Sequence, residues 1–446
     1  MPRAASPGED DVSARMRDDW NARAREDAGY YVAFGRRDQD DAEFYATATE
    51  MVSSLESELR RVPLSKRGGW RALEIGCGPG RLMRPMSRHF VEIDGVDVSD
   101  EMIAIARQRL NDLANCHPHH TDGASLALFP DETFEFVYSY AVFQHIPSRE
   151  VVLQYLRETH RVMKTGGLAR LQFNGLPQGG LSNEPMPYDT WAGARFSSHE
   201  VMEFARANDF QVLALEGVGT QYMWTSWKKQ PAGWSDAQES RQPKTELRIR
   251  RITNAGSSEP VAPSRGRWAS ISIWVENLPP DAGLQHLRVT VGSSFGTITY
   301  IGPPDSVGLQ QLNVILPELE ETGLLPVEVQ WFGQRISPPA VLRVIPPGPS
   351  VPSVASVSDG VNLVAGRRIE TRMIKVTLEE ITRPHELEAS VDGYPVSDLE
   401  FFCVDPRPQK FEVNLRLPEQ IGIGAHILEV RMGRRKLSPI AIEVVA

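Results

Sequence analysis

Residues 73–82 read Leu-Glu-Ile-Gly-Cys-Gly-Pro-Gly-Arg-Leu, three alternating glycines directly after a short apolar run. Glycines at the carboxyl end of a strand let the backbone approach a ligand closely, so this is a binding position. The spacing narrows the ligand. A dinucleotide fingerprint is G-x-G-x-x-G, and Arg81 stands where its third glycine would be. A P-loop ends in Gly-Lys-Ser/Thr, which Gly80-Arg81-Leu82 does not match. Glu74 would repel a pyrophosphate and suits a ligand with a cationic group. Further along, Asp97 closes a second apolar run, where a carboxylate can accept from ribose hydroxyls. Ser99 and Asp100 are helix N-cap candidates, and Asp122 can accept from the exocyclic amine of a purine.

These residues need a scaffold, and the chain supplies one up to about residue 230. Apolar runs alternate there with segments of helical period, the pattern of a mainly parallel sheet wrapped by helices. The reading places helices at 10–28, 38–61, 80–89, 99–111, 149–163 and 198–208. It places strands at 71–76, 91–97, 117–121, 134–139 and 168–174, and near 210–216 and 221–228, with Gly166-Gly167 as a helix C-cap. Beyond residue 230 helical period gives way to short β-branched runs between Pro and Gly clusters. Residues 231–245 read as a linker.

The β-rich part repeats itself at an offset near 100 residues. Ile271–Leu278 matches Ile374–Ile381, Leu287–Ser293 matches Leu387–Gly393, Leu312–Glu318 matches Val413–Glu419, and Val327–Pro339 matches Leu428–Pro439. This predicts two tandem all-β sandwich domains, 246–347 and 348–446, of immunoglobulin-like size.

Composition sets outer limits. The chain has 446 residues, enough for several domains. The net charge of −10 argues against a nucleic-acid partner, because phosphate binding needs a basic surface. The three cysteines, Cys77, Cys116 and Cys403, form no CxxC pair, so neither a disulfide framework nor a zinc site is suggested. No apolar run is long enough for a membrane span, and the first twenty residues lack the apolar core of a signal peptide. The expectation is a soluble, cytoplasmic protein. The histidines of Cys116–His120 read as a solvated loop rather than a metal site, and Tyr222–Trp227 as a final antiparallel strand.

Taken in order, "LEIGCGPGRL", "GVDVSDEMI", "TDGASL", "FEFVYSYAVFQHIP" and "LRETHRVMKTGGLARLQFN" resemble the motifs of class I S-adenosylmethionine-dependent methyltransferases that act on small molecules. The resemblance covers about residues 70–228. It implies an α/β Rossmann-like methyltransferase domain, 1–230, with an N-terminal helical cap, 1–65, and S-adenosyl-L-methionine as cofactor. It places Glu74 near the cofactor's amino or sulfonium end and Gly76, Cys77, Gly78 and Gly80 along the methionine moiety. Asp97 would bind the ribose, Asp122 and Gly123 would face the adenine, and Tyr140 would lie beside the methyl; Val98 and Met102 would also contact the cofactor. Glu135 and Thr165 depart from the family's usual Asp and Pro, away from these contacts.

A hydroxyl acceptor benefits from a base. His145 is the candidate, although a structural or pocket role weighs more. Substrate contacts are expected from outside the shared core: Tyr30 in the cap, and Tyr188, Trp191 and Arg195 in a long Gly/Pro loop after the fifth strand. Packing alone explains Tyr30 and Trp191 equally well. Trp274 and Trp331 read as core residues before a sugar platform. The β-sandwiches resemble immunoglobulin-like and TIG-like modules, open to a protein partner, a glycan or self-association. The sequence thus points to a methyltransferase acting on a small-molecule or glycan acceptor, at oxygen. The alternative is a non-catalytic S-adenosylmethionine-binding scaffold; a protein or RNA methyltransferase is disfavoured.

Overall fold

The computed structural model describes residues 9–33, 37–176, 190, 193–237, 246–360, 366–397, 399–405 and 409–445. Its contacts divide it into two compact units. One runs from Ala42 to Pro346 and takes in the chain up to Ala28; the other joins Gly29–Asp41 with the chain from Pro347 onward.

Helix α1 (Glu9–Ala33) is broken at Asp27, where the backbone is extended, and its part up to Ala28 belongs to the first unit. Helices α2 (Asp41–Ala46) and α3 (Thr49–Leu59) replace the single helix expected over 38–61. The break falls at Thr47, whose hydroxyl donates to the Phe44 carbonyl at 2.6 Å and so competes with helix continuation. The strands are β1 (Arg71–Ile75), β2 (Glu92–Asp97), β3 (Cys116–His120), β4 (Phe134–Ser139), β5 (Met163–Phe173), β6 (Phe210–Glu216) and β7 (Met223–Lys229). Between them lie α4 (Met83–Met86), α5 (Asp100–Arg109), α6 (Arg149–Val162) and α7 (Ser198–Ala207). Gly166-Gly167 is not a helix C-cap: α6 ends at Val162 and the glycines lie within β5.

The strand order is β3-β2-β1-β4-β5-β7-β6, with β7 antiparallel to both neighbours. β1 pairs in parallel with both β2 and β4, so the order reverses there. Both faces are covered, as a parallel core requires: Leu73, Ile75 and Val137 join one apolar cluster, Ala72, Phe136 and Tyr138 the other. Local signals support the helices. Ser99 caps α5 by accepting the Met102 N–H, and Ser197 and Glu200 form a capping box on α7.

The β-rich part of this unit continues the same sheet. Tyr300, in strand Ser294–Ile301, pairs with Ala214 of β6. The loop before strand Leu287–Val291 covers the rest of that edge. Leu284 N–H donates to the Val212 carbonyl at 2.8 Å, Gln285 bonds both the Val212 N–H and the Phe210 carbonyl, and Gln211 donates to the Ala282 carbonyl. One buried apolar cluster includes Phe210, Val212 and Leu215 together with Ala282, Leu284 and Ile301. Residues 231–237, within the expected linker, are packed: Trp234 is buried, and Asp209 accepts the Gly233 and Ser235 N–H groups. Residues 238–245 lie outside the described residues.

The internal repeat is visible as strand pairing. Ser270–Glu276 pairs antiparallel with Gln310–Ile315, and Met373–Glu379 pairs the same way with Lys410–Arg416. Leu287–Val291 pairs with Gly323–Trp331, as Leu387–Val391 does with Gly424–Met432. Trp331 is buried; Trp274 is half-buried, with the Arg251 guanidinium 4.9 Å from its ring centre. Among the described residues no helix is long and apolar enough to cross a membrane.

Candidate active site

The glycine loop leaves β1 where the strand order reverses, the position at which open α/β sheets bind ligands. Gly76, Gly78 and Gly80 have φ of +72°, +51° and +83°, a region that L side chains rarely adopt. Gly76 is needed twice over, since a Cβ there would meet Val142 Cγ2 at 2.2 Å. The Gly76 and Cys77 N–H groups both donate to the Val96 carbonyl, which docks the loop on β2. Cys77 is buried, and burial pushes its thiol well above the usual range.

Asp97 ties this loop to the start of α5. Its Oδ2 accepts the Gly78 N–H and its Oδ1 the Ser99 N–H, both at 2.9 Å. Burial lifts its carboxyl above the ordinary range, opposed by these N–H groups. A carboxylate has about four acceptor positions, so two remain for other donors. Gly123, with φ +81°, packs so closely on Val98 that a Cβ would meet Val98 Cγ2 at 2.6 Å. Met102 is buried. Asp122 is exposed, and its Oδ1 already accepts the Ala124 and Ser125 N–H groups. Helix α1 runs over these elements: Asn21 Oδ1 accepts from the Ser99 hydroxyl at 2.6 Å and from the Glu101 N–H.

Glu74 is buried on β1 and accepts from the Tyr138 hydroxyl at 2.9 Å. Burial pushes its pKa up from 4.5 to about 8. Between those values the folded chain holds a proton that the unfolded chain releases, so the contribution of Glu74 to stability is fully present below about 4.5 and is lost as pH rises toward 8. Glu74→Gln keeps an acceptor for Tyr138 and removes the titration. The unfolding free energy of the wild-type chain from urea titration is expected to fall between about pH 5.5 and about pH 8.5, by a few kcal/mol in order of magnitude, and that of the variant to stay nearly level.

The loop after β4 faces the glycine loop through Val142. Tyr140 is half-buried, with the Arg81 guanidinium 5.3 Å from its ring and Trp224 of β7 stacked on it at 5.6 Å. His145 is buried, and the Trp20 ring of α1 meets it edge-on at 5.5 Å. Arg23 and Asp19 of α1 both bond the Thr190 hydroxyl. Helix α1 therefore spans both ends of the site. Of the predicted substrate residues, Arg195 forms a backbone bridge with Asn174, just past β5. Tyr188 and Trp191 lie outside the described residues. Tyr30 groups with the second unit, where Arg37 lies over its ring at 4.3 Å.

Sequence reasoning missed Gln172, a fully buried amide on β5 that accepts the Ala141 N–H at 2.8 Å. Ala141 sits at φ +56°. The available signal is a glutamine set between Leu171 and Phe173 at the carboxyl end of a central strand. The His117, His119 and His120 side chains are not in a solvated loop. They stand on edge strand β3, each beside a carboxylate: Glu92, Asp94 and Asp100 respectively. Among the described residues no group of three or more His, Cys, Asp or Glu side chains could hold a metal.

The profile of a family described as "Methyltransferase domain" matches residues 72–167, which span the glycine loop, Asp97 and the loop after β4. These residues are a class I S-adenosylmethionine-dependent methyltransferase domain. The chain is 36% identical over 101 residues to the ubiquinone biosynthesis O-methyltransferase of Ruegeria pomeroyi, covering 22% of this chain and 39% of that protein. It is 36% identical over 118 residues to the phosphatidylethanolamine N-methyltransferase of Cereibacter sphaeroides, covering 25% and 55%. It is 30% identical over 122 residues to phosphoethanolamine N-methyltransferase 2 of Caenorhabditis elegans, covering 27% of each. The chain thus spans about half or less of the length of these curated relatives. The methyl donor of the methyltransferase domain's family is S-adenosyl-L-methionine. The domain's glycine cradle and the two spare acceptor positions on Asp97 fit that donor.

Proposed function

We propose that the protein transfers a methyl group from S-adenosylmethionine to a small-molecule or glycan acceptor, at oxygen. The observation that carries this reading is Asp97. One half-buried carboxylate fixes the glycine loop through Gly78 and the start of α5 through Ser99, and keeps acceptor positions for a ribose. Gly76, Cys77, Gly78 and Gly80 would line the methionine part through backbone, with Glu74 toward its cationic end. Val98, Met102 and Gly123 would line the adenine. Asp122 would offer the oxygen not engaged by its own turn.

When bound, the cofactor supplies an electrophilic methyl group. The protein's task is then to align the acceptor and exclude water. Helix α1 suits that task, since Trp20, Asn21 and Arg23 connect the cofactor loops to the segment holding His145 and to Thr190. The relatives' names include both O- and N-methyltransferases of small molecules, which supports a small acceptor. The β-regions are assigned recognition or assembly, the first of them also completing the methyltransferase sheet.

The test is transfer of labelled methyl from S-adenosylmethionine to panels of phenols, amino alcohols and glycans. Label in an acceptor supports the reading. A protein that binds the cofactor and labels none of the three classes would instead be the non-catalytic scaffold.

A further inference from the structure

Two buried amides behind the loop after β4, Gln172 and Gln144, lead to His145. The Gln172 amide has one possible orientation. Its Oε1 accepts from the Ala141 N–H, which can only donate, and its Nε2 donates to the Gln221 carbonyl at 2.8 Å and the Phe173 carbonyl at 3.2 Å, which can only accept. The same Nε2 donates to Gln144 Oε1 at 2.8 Å. This fixes Gln144 in turn: turning that amide over would set two NH2 groups against each other. Gln144 Nε2 therefore faces His145 Nε2, 3.2 Å away. An amide nitrogen only donates, so His145 Nε2 accepts and carries no proton. A neutral imidazole with an accepting Nε2 bears its proton on Nδ1.

We propose that Gln172 and Gln144 form an amide relay that holds His145 as the neutral, Nδ1-protonated imidazole, making His145 a positioning residue and not the base. Neither ring nitrogen offers an open lone pair: Nδ1 bears the proton, and Nε2 is engaged by Gln144. Protonating His145 would leave a donor facing a donor among side chains only 0–5% exposed, which the interior disfavours. Backbone contacts hold the segment in the same place. The Gly193 N–H donates to the Gln144 carbonyl at 2.7 Å and the Ala194 N–H to the Ile146 carbonyl at 2.8 Å. A Cβ at Gly193 would come within 2.6 Å of the Ile146 backbone, so this close approach requires glycine. The relay thus joins β5, the loop after β4 and the loop before β7 at one buried point. An acceptor must arrive with its lone pair available or lose its proton to another group.

The meaning of this relay for catalysis rests on the methyltransferase reading; the tautomer itself does not. The test is nitrogen-15 NMR of the full chain labelled at histidine, near neutral pH, with the His145 signals identified by their loss in His145→Asn. Expected are a pyrrole-type Nδ1 and a pyridine-type Nε2. An Nε2-protonated ring or an imidazolium would overturn the proposal. Gln144→Glu is the second arm: a carboxylate facing Nε2 is expected to draw a proton there and shift Nε2 to the pyrrole type. An unchanged Nε2 in that variant, with native circular dichroism, would show that the amides do not set the tautomer. Titration of the same samples with S-adenosylhomocysteine keeps the two ideas apart. Absent binding beside the expected tautomer would sink the methyltransferase reading and leave the relay standing.

Discussion

Gly76→Ala is expected to weaken S-adenosylhomocysteine binding at least about 100-fold, which corresponds to about 3 kcal/mol. Two costs combine. An L residue at φ +72° costs about 1–2 kcal/mol. The new Cβ would also lie 2.2 Å from Val142 Cγ2 and 2.8 Å from Cγ1, so Val142 must move. It has little room to do so, because its neighbour Ala141 is held at φ +56° by Gln172. The loop after β4 and the glycine loop would separate, and both border the proposed cofactor site. Gly166→Ala is the control. It carries the same conformational cost at φ +86°, but a Cβ there meets nothing within 4 Å, and the position lies away from the site. Calorimetric titration of both variants should separate a loss specific to Gly76 from a general loss of stability.

Ending the chain at Ala237 is expected to leave a methyltransferase region that does not fold stably. Edge strand β6 would lose the Leu284 N–H, both Gln285 bonds and the pairing with Tyr300. These backbone groups would pass to water, so each lost bond forfeits its net contribution of about 0.5–1.5 kcal/mol. Phe210, Val212 and Leu215 would lose part of their cover, worth up to about 1.5–3 kcal/mol for each side chain fully exposed. Even half that sum is comparable to the roughly 5–15 kcal/mol by which domains are stable. A point variant keeps the idea testable if the shortened chain aggregates. Gln285→Ala, which removes the partner of the Val212 N–H and the Phe210 carbonyl, should lower the stability of the full chain by about 1–3 kcal/mol in urea. A shortened chain that folds and binds S-adenosylhomocysteine like the parent would show that the β-region is dispensable to the methyltransferase sheet.

Much of this was legible in the sequence because it depended on local chemistry. The loop Gly76–Gly80, the Ser99 cap and the alternation of apolar runs with helical segments each carry their own physical signal. The repeat was equally legible, since all four matched pairs of segments overlap paired strands. What escaped was set by contacts between distant residues. Nothing near Gln172 in sequence announces that it meets Ala141, Gln144 and Gln221. The joining of β6 to strand Ser294–Ile301 depends on one pairing across 86 positions, between Ala214 and Tyr300. The pattern over 38–61 reads as one helix because Thr47 weakens it only slightly, until the Thr47 hydroxyl finds the Phe44 carbonyl.

The measurement that bears most directly on the central claim is calorimetric titration of the full chain with S-adenosylhomocysteine, beside NAD and beside Asp97→Asn. The account predicts saturable binding of S-adenosylhomocysteine at one site and none of NAD. Asp97→Asn should bind about 10- to 100-fold more weakly, the loss expected when hydrogen bonds to a charged group are removed. A folded protein that binds neither compound, or one whose S-adenosylhomocysteine affinity is unchanged in Asp97→Asn, would contradict it.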